Sequence, residues 1–313
     1  GSVLAMERGE VDVFLALGGN FVAAMSDSQR TAQALRKVKL AVHVATKLNR
    51  THLEAGQASL ILPCLGRTER DVRGGRIQFV TVEDSMGVVH KSEGPLEPVA
   101  PLLLSEPAIV AGIAEAALGA EPVPWSELAG DYDAIRELIE RSIAGFERYN
   151  QRVREPGGFE LPNGPRERRF LTASGKAEFT VQALPELALE PGQLLLTTIR
   201  SHDQFNTTIY GFDDRYRGIS GERRVVFVNP KDLAERGFQP NQRLDITSHY
   251  QGTRRSVSAF RAVPYDIPRG CAACYFPEAN PLVPLENHAD ESRTPASKSI
   301  VVTLSAASSE AAE

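Results

Sequence analysis

The sequence predicts an α/β portion followed by a β portion that closes as a small barrel. Three observations carry this. Short apolar runs alternate with helical stripes over residues 1–65, which is the pattern of a parallel sheet with crossover helices. From Pro191 onward almost every regular segment is of strand type, with one helix inside it. Between the two lies a region of hairpin and helix signals without a repeated unit. The expected boundaries are therefore 1–65, 66–186 and 187–305, with a disordered tail at 306–313.

At 313 residues the chain has room for two domains with separate cores. Hydrophobic residues at 42% and charged residues at 24% are ordinary globular values and argue against extended disorder. A net charge of -5 and a pI near 5.8 argue against a nucleic-acid binder. The densest basic stretch, Arg67 to Arg76, is broken by Glu69 and Asp71 and reads as a solvated loop. Three cysteines cannot all pair, which points to a reducing compartment. No apolar run approaches the ~18 residues needed to span a bilayer, so the expectation is a soluble, cytoplasmic protein. Gly1-Ser2 followed by VLAMERGEVDVF reads as a cloning scar joined to the last turns of a helix, and predicts a piece of something longer.

Taken in order, Val11 to Leu17 is a continuous apolar run that stops at Gly18-Gly19-Asn20, as a buried parallel strand does. A helix follows from Ser28 to Val38, with Ala32, Leu35 and Val38 as its stripe and Ser26 or Asp27 as its cap. Leu40 to Ala45 is the next strand. After the loop 46–51 come a short helix near His52 to Ala55 and a strand from Ser59 to Leu62, closed by Pro63. This is a βαβ pattern, a partial Rossmann-like unit, and its crevice lies off the carboxyl ends of the strands, where Gly18 to Asn20 and Thr46 to Asn49 fall. The full glycine fingerprint of an NAD site is missing. Lys47 reads equally as a phosphate partner and as a solvated side chain.

From Gly74 the spacing predicts a hairpin, Arg76 to Glu83 and Val88 to Ser92, turning at 84–87. Two helices follow. One runs from Ser105 to Leu118 and stops at Gly119; the other is capped by Asp131 and carries a core stripe of Ile135, Leu138, Ile139, Ser142, Ile143 and Phe146. Gln151 to Arg169 is a connector rich in Gly, Pro and Arg.

The barrel strands are expected at Leu194 to Ile199, Val225 to Val228, Arg243 to Ser248, Arg254 to Val263, Cys271 to Phe276 and Ser299 to Leu304. Asn229-Pro230 opens a helix that ends at Gly237. Six strands with an edge to hide suggest closure. The first strand runs straight into RSHDQFNTTIYG, a loop crowded with side chains that both donate and accept hydrogen bonds. Such a set suits a rigid polar ligand with many heteroatoms, and the ordinary alternative is a solvated turn. Pro277 to Ser297 is the one long irregular segment.

Self-sufficient chemistry is hard to find in the sequence. Cys271 and Cys274 sit in an apolar strand at a spacing that points them to opposite faces, so burial is favoured over metal binding. There is no Gly-x-Ser-x-Gly turn, and Glu69 with Asp71 reads as a solvated pair rather than an acid and base.

Six segments in order, ALGGNFVAAMSD at 16–27, VHVATKLNRTHL at 42–53, LILPCLGRTERD at 60–71, FLTASGKAEF at 170–179, TTIRSHDQFNTTIYG at 197–211, and YFPEANPL with SRTPASKS between 275 and 299, resemble the C-terminal portion of formate-dehydrogenase-like molybdopterin oxidoreductases. Within these, the resemblance is to the formate dehydrogenase alpha subunit branch. It implies a C-terminal double-psi β-barrel and bis-molybdopterin guanine dinucleotide with molybdenum, with a 4Fe-4S cluster, where members carry one, held upstream. Carried over by residue, it puts Gly18, Gly19, Asn20, Thr46, Lys47 and Asn49 around guanosine and pyrophosphate. Arg200, Ser201, His202, Gln204, Asn206, Thr207 and Thr208 line pterin and phosphates, with Asn280, Ser297 and Lys298. Many members have an aspartate where this chain has Thr46, which weakens that contact. The molybdenum ligand of the family lies upstream, and Cys64, after a strand proline, does not match its setting.

The expectation is thus the cofactor-holding part of a molybdenum oxidoreductase, inactive alone, whose parent has a small-molecule substrate and an electron-transfer partner. The alternative is a non-catalytic nucleotide- or pterin-binding module.

Overall fold

The computed structural model describes residues 1–54, 56–184, 188–207 and 209–307. The chain folds as two compact units. The first joins Gly1–His43, Lys47–Ile61 and the chain from 188 onward; the second comprises Val44–Thr46 and 62–184.

The N-terminal elements are α1 (Ser2–Glu7), β1 (Val13–Leu17), α2 (Phe21–Ala24), α3 (Ser28–Leu35), β2 (Leu40–Ala45), α4 (Arg50–Leu53) and β3 (Ala58–Pro63). The strands form a sheet in the order β1-β2-β3. The expected α3 stripe is buried: Ala32, Leu35 and Val38 pack with Val3, Met6 and Val22. β1 corrects the reading of Val11 to Leu17 as a fully buried strand. It is an edge strand, and Val13, Leu15 and Leu17, which alternate onto one face, are 57, 45 and 51% exposed. The cap of α3 is also different. Asp27 occupies the N-cap in a left-handed conformation, but its side chain makes no cap bond and instead accepts from Arg255 Nη2 at 2.5 Å. α4 starts two residues earlier than expected because Asn49 and His52 form a reciprocal cap: Asn49 Oδ1 accepts from Thr51 N, and His52 Nδ1 accepts from Asn49 N. The predicted last residue of that helix, Ala55, lies outside the described residues.

The second unit contains β4 (Asp71–Arg73), β5 (Arg76–Gln78), β6 (Val80–Glu83), β7 (Val88–Ser92), α5 (Glu106–Leu118), α6 (Trp125–Gly130), α7 (Tyr132–Ser142), α8 (Tyr149–Arg152) and β8 (Phe159–Glu160). The hairpin turns where expected, with Asp84 Oδ1 accepting from Met86 N and Val88 N. Its first arm, however, is two strands. β5 pairs with β4 and β6 with β7, and between them Phe79 turns inward beneath the Arg136 guanidinium, 4.0 Å from its ring centre. The Arg67 to Arg76 stretch therefore includes a strand and is not simply a solvated loop. The stripe assigned to α7 and its following turn is corrected in part: Ile139 and Phe146 do pack against Phe79, Val89, Tyr149 and Phe159. Leu138 and Ile143 are 41 and 51% exposed, whereas the buried positions are Tyr132 and Arg136. Arg136 is held by Phe79 O, Asn150 Oδ1 and Asp133, so a polar network adjoins the apolar contacts of this helix. Gln151 to Arg169 likewise carries the end of α8 and β8, which pairs with β7. Glu69 is no acid-base partner of Asp71: it accepts from Gly66 N and Val99 N, and these bonds hold its carboxyl below the usual carboxylate range.

The third stretch is the barrel: β9 (Leu194–Ile199), β10 (Val225–Val228), α9 (Pro230–Glu235), β11 (Arg243–Tyr250), β12 (Thr253–Pro264), β13 (Cys271–Tyr275) and β14 (Ile300–Ala306). The six strands close in the order β10-β12-β11-β14-β9-β13. Two pairs, β10/β12 and β13/β9, are parallel and the other four antiparallel. β9 alternates, burying Leu194, Leu196 and Thr198. β10 is buried on both faces: Val226 and Val228 point into the barrel with Leu244, Ile246, Phe260 and Val302, while Val225 and Phe227 pack outside against Ile219, Ala273 and Tyr275. This is why VVFV is uninterrupted where β9 alternates with polar residues. A bulge between Leu244 and Ile246 faces Ala259, whose φ of 60° is held by its amide donating to Asp245 Oδ1. Asn229 caps α9 through Lys231 N, with Pro230 at the first helical position. Cys274 lies inside the barrel and the three cysteines are free. β14 runs to Ala306, into the segment expected as tail; residues 308–313 lie outside the described residues. Among the described residues no helix is long and apolar enough to cross a membrane.

Candidate functional site

Within the first unit the N-terminal segment is tied to the barrel by polar contacts. Asp27 N donates to Asn280 O, Asn280 Nδ2 to Ala23 O at 2.7 Å, and Asn20 Nδ2 to Thr207 O at 3.2 Å. A cavity of about 680 Å3 opens beside these contacts. Asn20, Asn49 and Thr207 are the predicted site residues that line it. Gly18 and Gly19, with φ of 66 and 73°, form the sharp turn after β1, and Gly19 O accepts from Asn49 Nδ2 at 2.7 Å. Lys47 is exposed. Thr46 is exposed and belongs to the second unit.

The sequence reading missed most of the charge in this cavity. Arg50 and Arg224 line it and, among the described residues, make no ion pair. The two acids in the wall are committed elsewhere, Glu54 to Arg36 and Glu278 to Arg223. The free side-chain charge at this wall is therefore cationic. Arg50 adjoins a predicted residue and was within reach of a sequence argument, whereas Arg224 belongs to none of the motifs singled out in the sequence.

The other predicted residues gather at the end of β9. Arg200 Nη2 donates to Asn206 Oδ1 at 3.0 Å. Ser201 N and Oγ both donate to Gln204 Oε1, and Gln204 Nε2 donates to Phe276 O at 2.6 Å. His202 lies edge-on to Tyr216, ring centres 4.0 Å apart. Its Nε2 is buried 3.1 Å from an Asp203 carboxylate oxygen without forming a hydrogen bond. From the late loop, Ser297 O accepts from Thr198 N, and Lys298 Nζ donates to Thr198 O. Burial, and secondarily the Arg200 charge, pushes the Lys298 ammonium below its ordinary value. Lys298 is bonded to Thr198 near the end of β9, and that end, at the barrel rim, leads directly into Arg200. Neither has a carboxylate partner among the described residues. Asn280 does not join this rim: its side chain is 2% exposed and is spent on Ala23 O and Ala24 O. Thr208 lies outside the described residues.

The structure thus divides the predicted set into a cavity group and a rim group, linked by the loop from Arg200 to Thr207. Both present unpaired cations and amide groups, a donor set that suits an anionic, heteroatom-rich ligand. Among the described residues no group of three or more His, Cys, Asp or Glu is placed to hold a metal ion.

Residues 194–301 match the family described as the Molydopterin dinucleotide binding domain, a stretch from the first residue of β9 into β14. A protein named as an oxidoreductase from Mycobacterium tuberculosis is 50% identical over 310 residues, covering 97% of this chain and 40% of the relative. Protein YdeP of Escherichia coli is 45% identical over 310 residues, covering 97% of this chain and 41% of that protein. The chain thus spans about two fifths of the length of these curated relatives. Among solved structures, acetylene hydratase from Pelobacter acetylenicus superposes with a TM-score of 0.64 at 17% identity, over 96% of this chain and 45% of the hydratase. At that identity the likeness concerns the fold.

Proposed function

We propose that this chain is the cofactor-holding, C-terminal portion of a longer molybdopterin-dependent oxidoreductase, and that it binds molybdopterin guanine dinucleotide. The observation that carries this reading is the coincidence of the 194–301 match with the closed barrel, at the end of whose strand β9 lie Arg200 and, bonded to Thr198 O, Lys298, neither with a carboxylate partner among the described residues. The oxidoreductase name of the mycobacterial relative supports the reaction class. On this reading the barrel is of the double-psi kind and the N-terminal strands are part of a Rossmann-like sheet. A formate-dehydrogenase-like parent is the finer form of the proposal, resting on the sequence resemblance.

The residues present fit such a group: a cavity of about 680 Å3 with unpaired arginines, and a buried, unbonded imidazole nitrogen on His202. When bound, the molybdenum-pterin group supplies two-electron redox chemistry. The chain contributes binding and orientation. Arg200 offers a planar fork of donors for a phosphate or carbonyl edge, Lys298 a flexible point charge, and Asn20 and Asn49 amide groups held in place by Thr51 and Gly19.

The test is cofactor retention in the longer protein. A charge-assisted hydrogen bond is worth roughly 1.5–3 kcal/mol, so Arg200→Ala should weaken retention about ten- to a hundredfold. His249, bonded to Thr303 Oγ1 at 2.9 Å, serves as control. Full pterin content in Arg200→Ala with loss in His249→Ala would overturn the assignment.

A further inference from the structure

Arg223 is absent from every motif above and precedes β10 as half of an Arg-Arg pair, yet its side chain is 3% exposed. Its guanidinium is spent entirely on two segments. Toward the polar loop, Nη1 donates to Ser201 Oγ at 2.6 Å and Gly211 O at 3.4 Å, and Nη2 to Gln204 Oε1 at 3.0 Å. Toward the turn after β13, Nη2 donates to Phe276 O at 2.9 Å, and Nε and Nη2 grip both carboxylate oxygens of Glu278 at 2.8 and 3.2 Å. The rings of Tyr210 and Tyr275 lie 4.4 and 4.9 Å from its central carbon.

We infer that Arg223 is the positioning residue of the site: one buried guanidinium that sets the loop from Arg200 to Gly211 against the turn at Phe276–Glu278. It is not part of the cavity wall. Its effect passes through Gln204, whose Oε1 receives Ser201 N, Ser201 Oγ and Arg223 together and whose Nε2 bridges to Asn206 O and Phe276 O. Gln204 oriented this way fixes the start of the loop, and hence the direction in which Arg200 leaves β9. A lysine cannot replace this arrangement, because it offers one point charge where five planar donors are used. Binding groups need such support to hold their geometry. The link to ligand binding rests on the function proposed above; the link to loop geometry does not.

Amide hydrogen exchange on this chain tests the positioning role directly. Arg223→Lys should speed exchange at Ser201, Phe205 and Ile209 tenfold or more and leave Val226, Ile246 and Val302 unchanged. Glu278→Gln, which loosens the grip on the guanidinium and leaves every bond of Ser201, Gln204, Phe205 and Ile209 in place, should speed exchange at Phe205 and Ile209 and decides the matter if Arg223→Lys does not fold. Unchanged loop exchange, or an equal rise through the barrel strands, overturns the inference. Affinity for inorganic pyrophosphate separates it from the cofactor reading. Arg200→Ala should weaken binding in the wild-type background and change nothing in Arg223→Lys. Equal weakening in both backgrounds overturns the positioning role. If Arg200→Ala has no effect in the wild type while loop exchange still answers to Arg223, the positioning stands and the anion assignment of the rim fails.

Discussion

His43 is 1% exposed on β2, its ring 4.9 Å from that of His52, and the Nε2 atoms of both are buried without a hydrogen-bond partner. Burial, and secondarily His52, lowers the His43 pKa below its ordinary 6.5. The folded state therefore holds fewer protons than the unfolded chain just below pH 6.5. Stability is fully present above that value and falls as the pH drops from about 6.5 toward the folded pKa. Urea midpoints between pH 7.5 and 5 should show this fall, and His43→Phe should flatten it; a wild-type profile flat across that range would contradict it. A second expectation concerns thiols. Cys274 is fully buried, with its pKa raised by burial, and Cys64 is buried too, while Cys271 is partly accessible. Native labelling with a thiol reagent should modify Cys271 alone, and rapid modification of Cys274 would show that the barrel interior is open. That Cys271 and Cys274 face opposite ways was legible from strand alternation; which of them points inward was not. Arg223 was not, because only tertiary packing distinguishes a buried guanidinium from its solvated neighbour Arg224.

Elements with a strong local signal were readable with nearly the observed bounds. Leu40–Ala45, Leu194–Ile199 and Val225–Val228 carry β-branched or leucine-rich runs, and Asn229-Pro230 announces α9 through a side-chain cap and a proline that lacks the donor a helix start wastes. α2, α6 and α8, at 4, 6 and 4 residues, are too short to show helical periodicity. Pairing order was beyond local reading as well, since β10 lies between β12 and β13, strands that follow it in sequence only after α9 and β11. Inter-element polar ties were equally hidden, and they set the next prediction. Arg255→Ala leaves the Asp27 carboxylate, 7% exposed, without its partner, and Asn280→Ala leaves Ala23 O unbonded. Each should cost about 1–3 kcal/mol, read as a lower urea midpoint at unchanged slope. No change in midpoint for either would mean that the N-terminal segment does not lean on these contacts.

For the whole molecule, barrel closure was legible from strand number and the need to hide edges, and the structure has it. Of the residues expected at the candidate site, Asn20, Asn49 and Thr207 line the cavity and Arg200 and Lys298 lie at the end of β9, whereas Asn280 is spent on backbone contacts. This chain alone is expected to show no formate oxidation with an artificial electron acceptor, since it is proposed to hold a cofactor whose metal ligand lies in another part of the parent. The central claim is the cofactor itself. It is tested most directly by metal and nucleotide analysis of the longer protein purified from a molybdate-fed host. The result expected is molybdenum with about two GMP equivalents released per metal atom on hydrolysis, the ratio that a bis-dinucleotide cofactor requires. Protein that is folded and intact but carries neither molybdenum nor releasable GMP would contradict it.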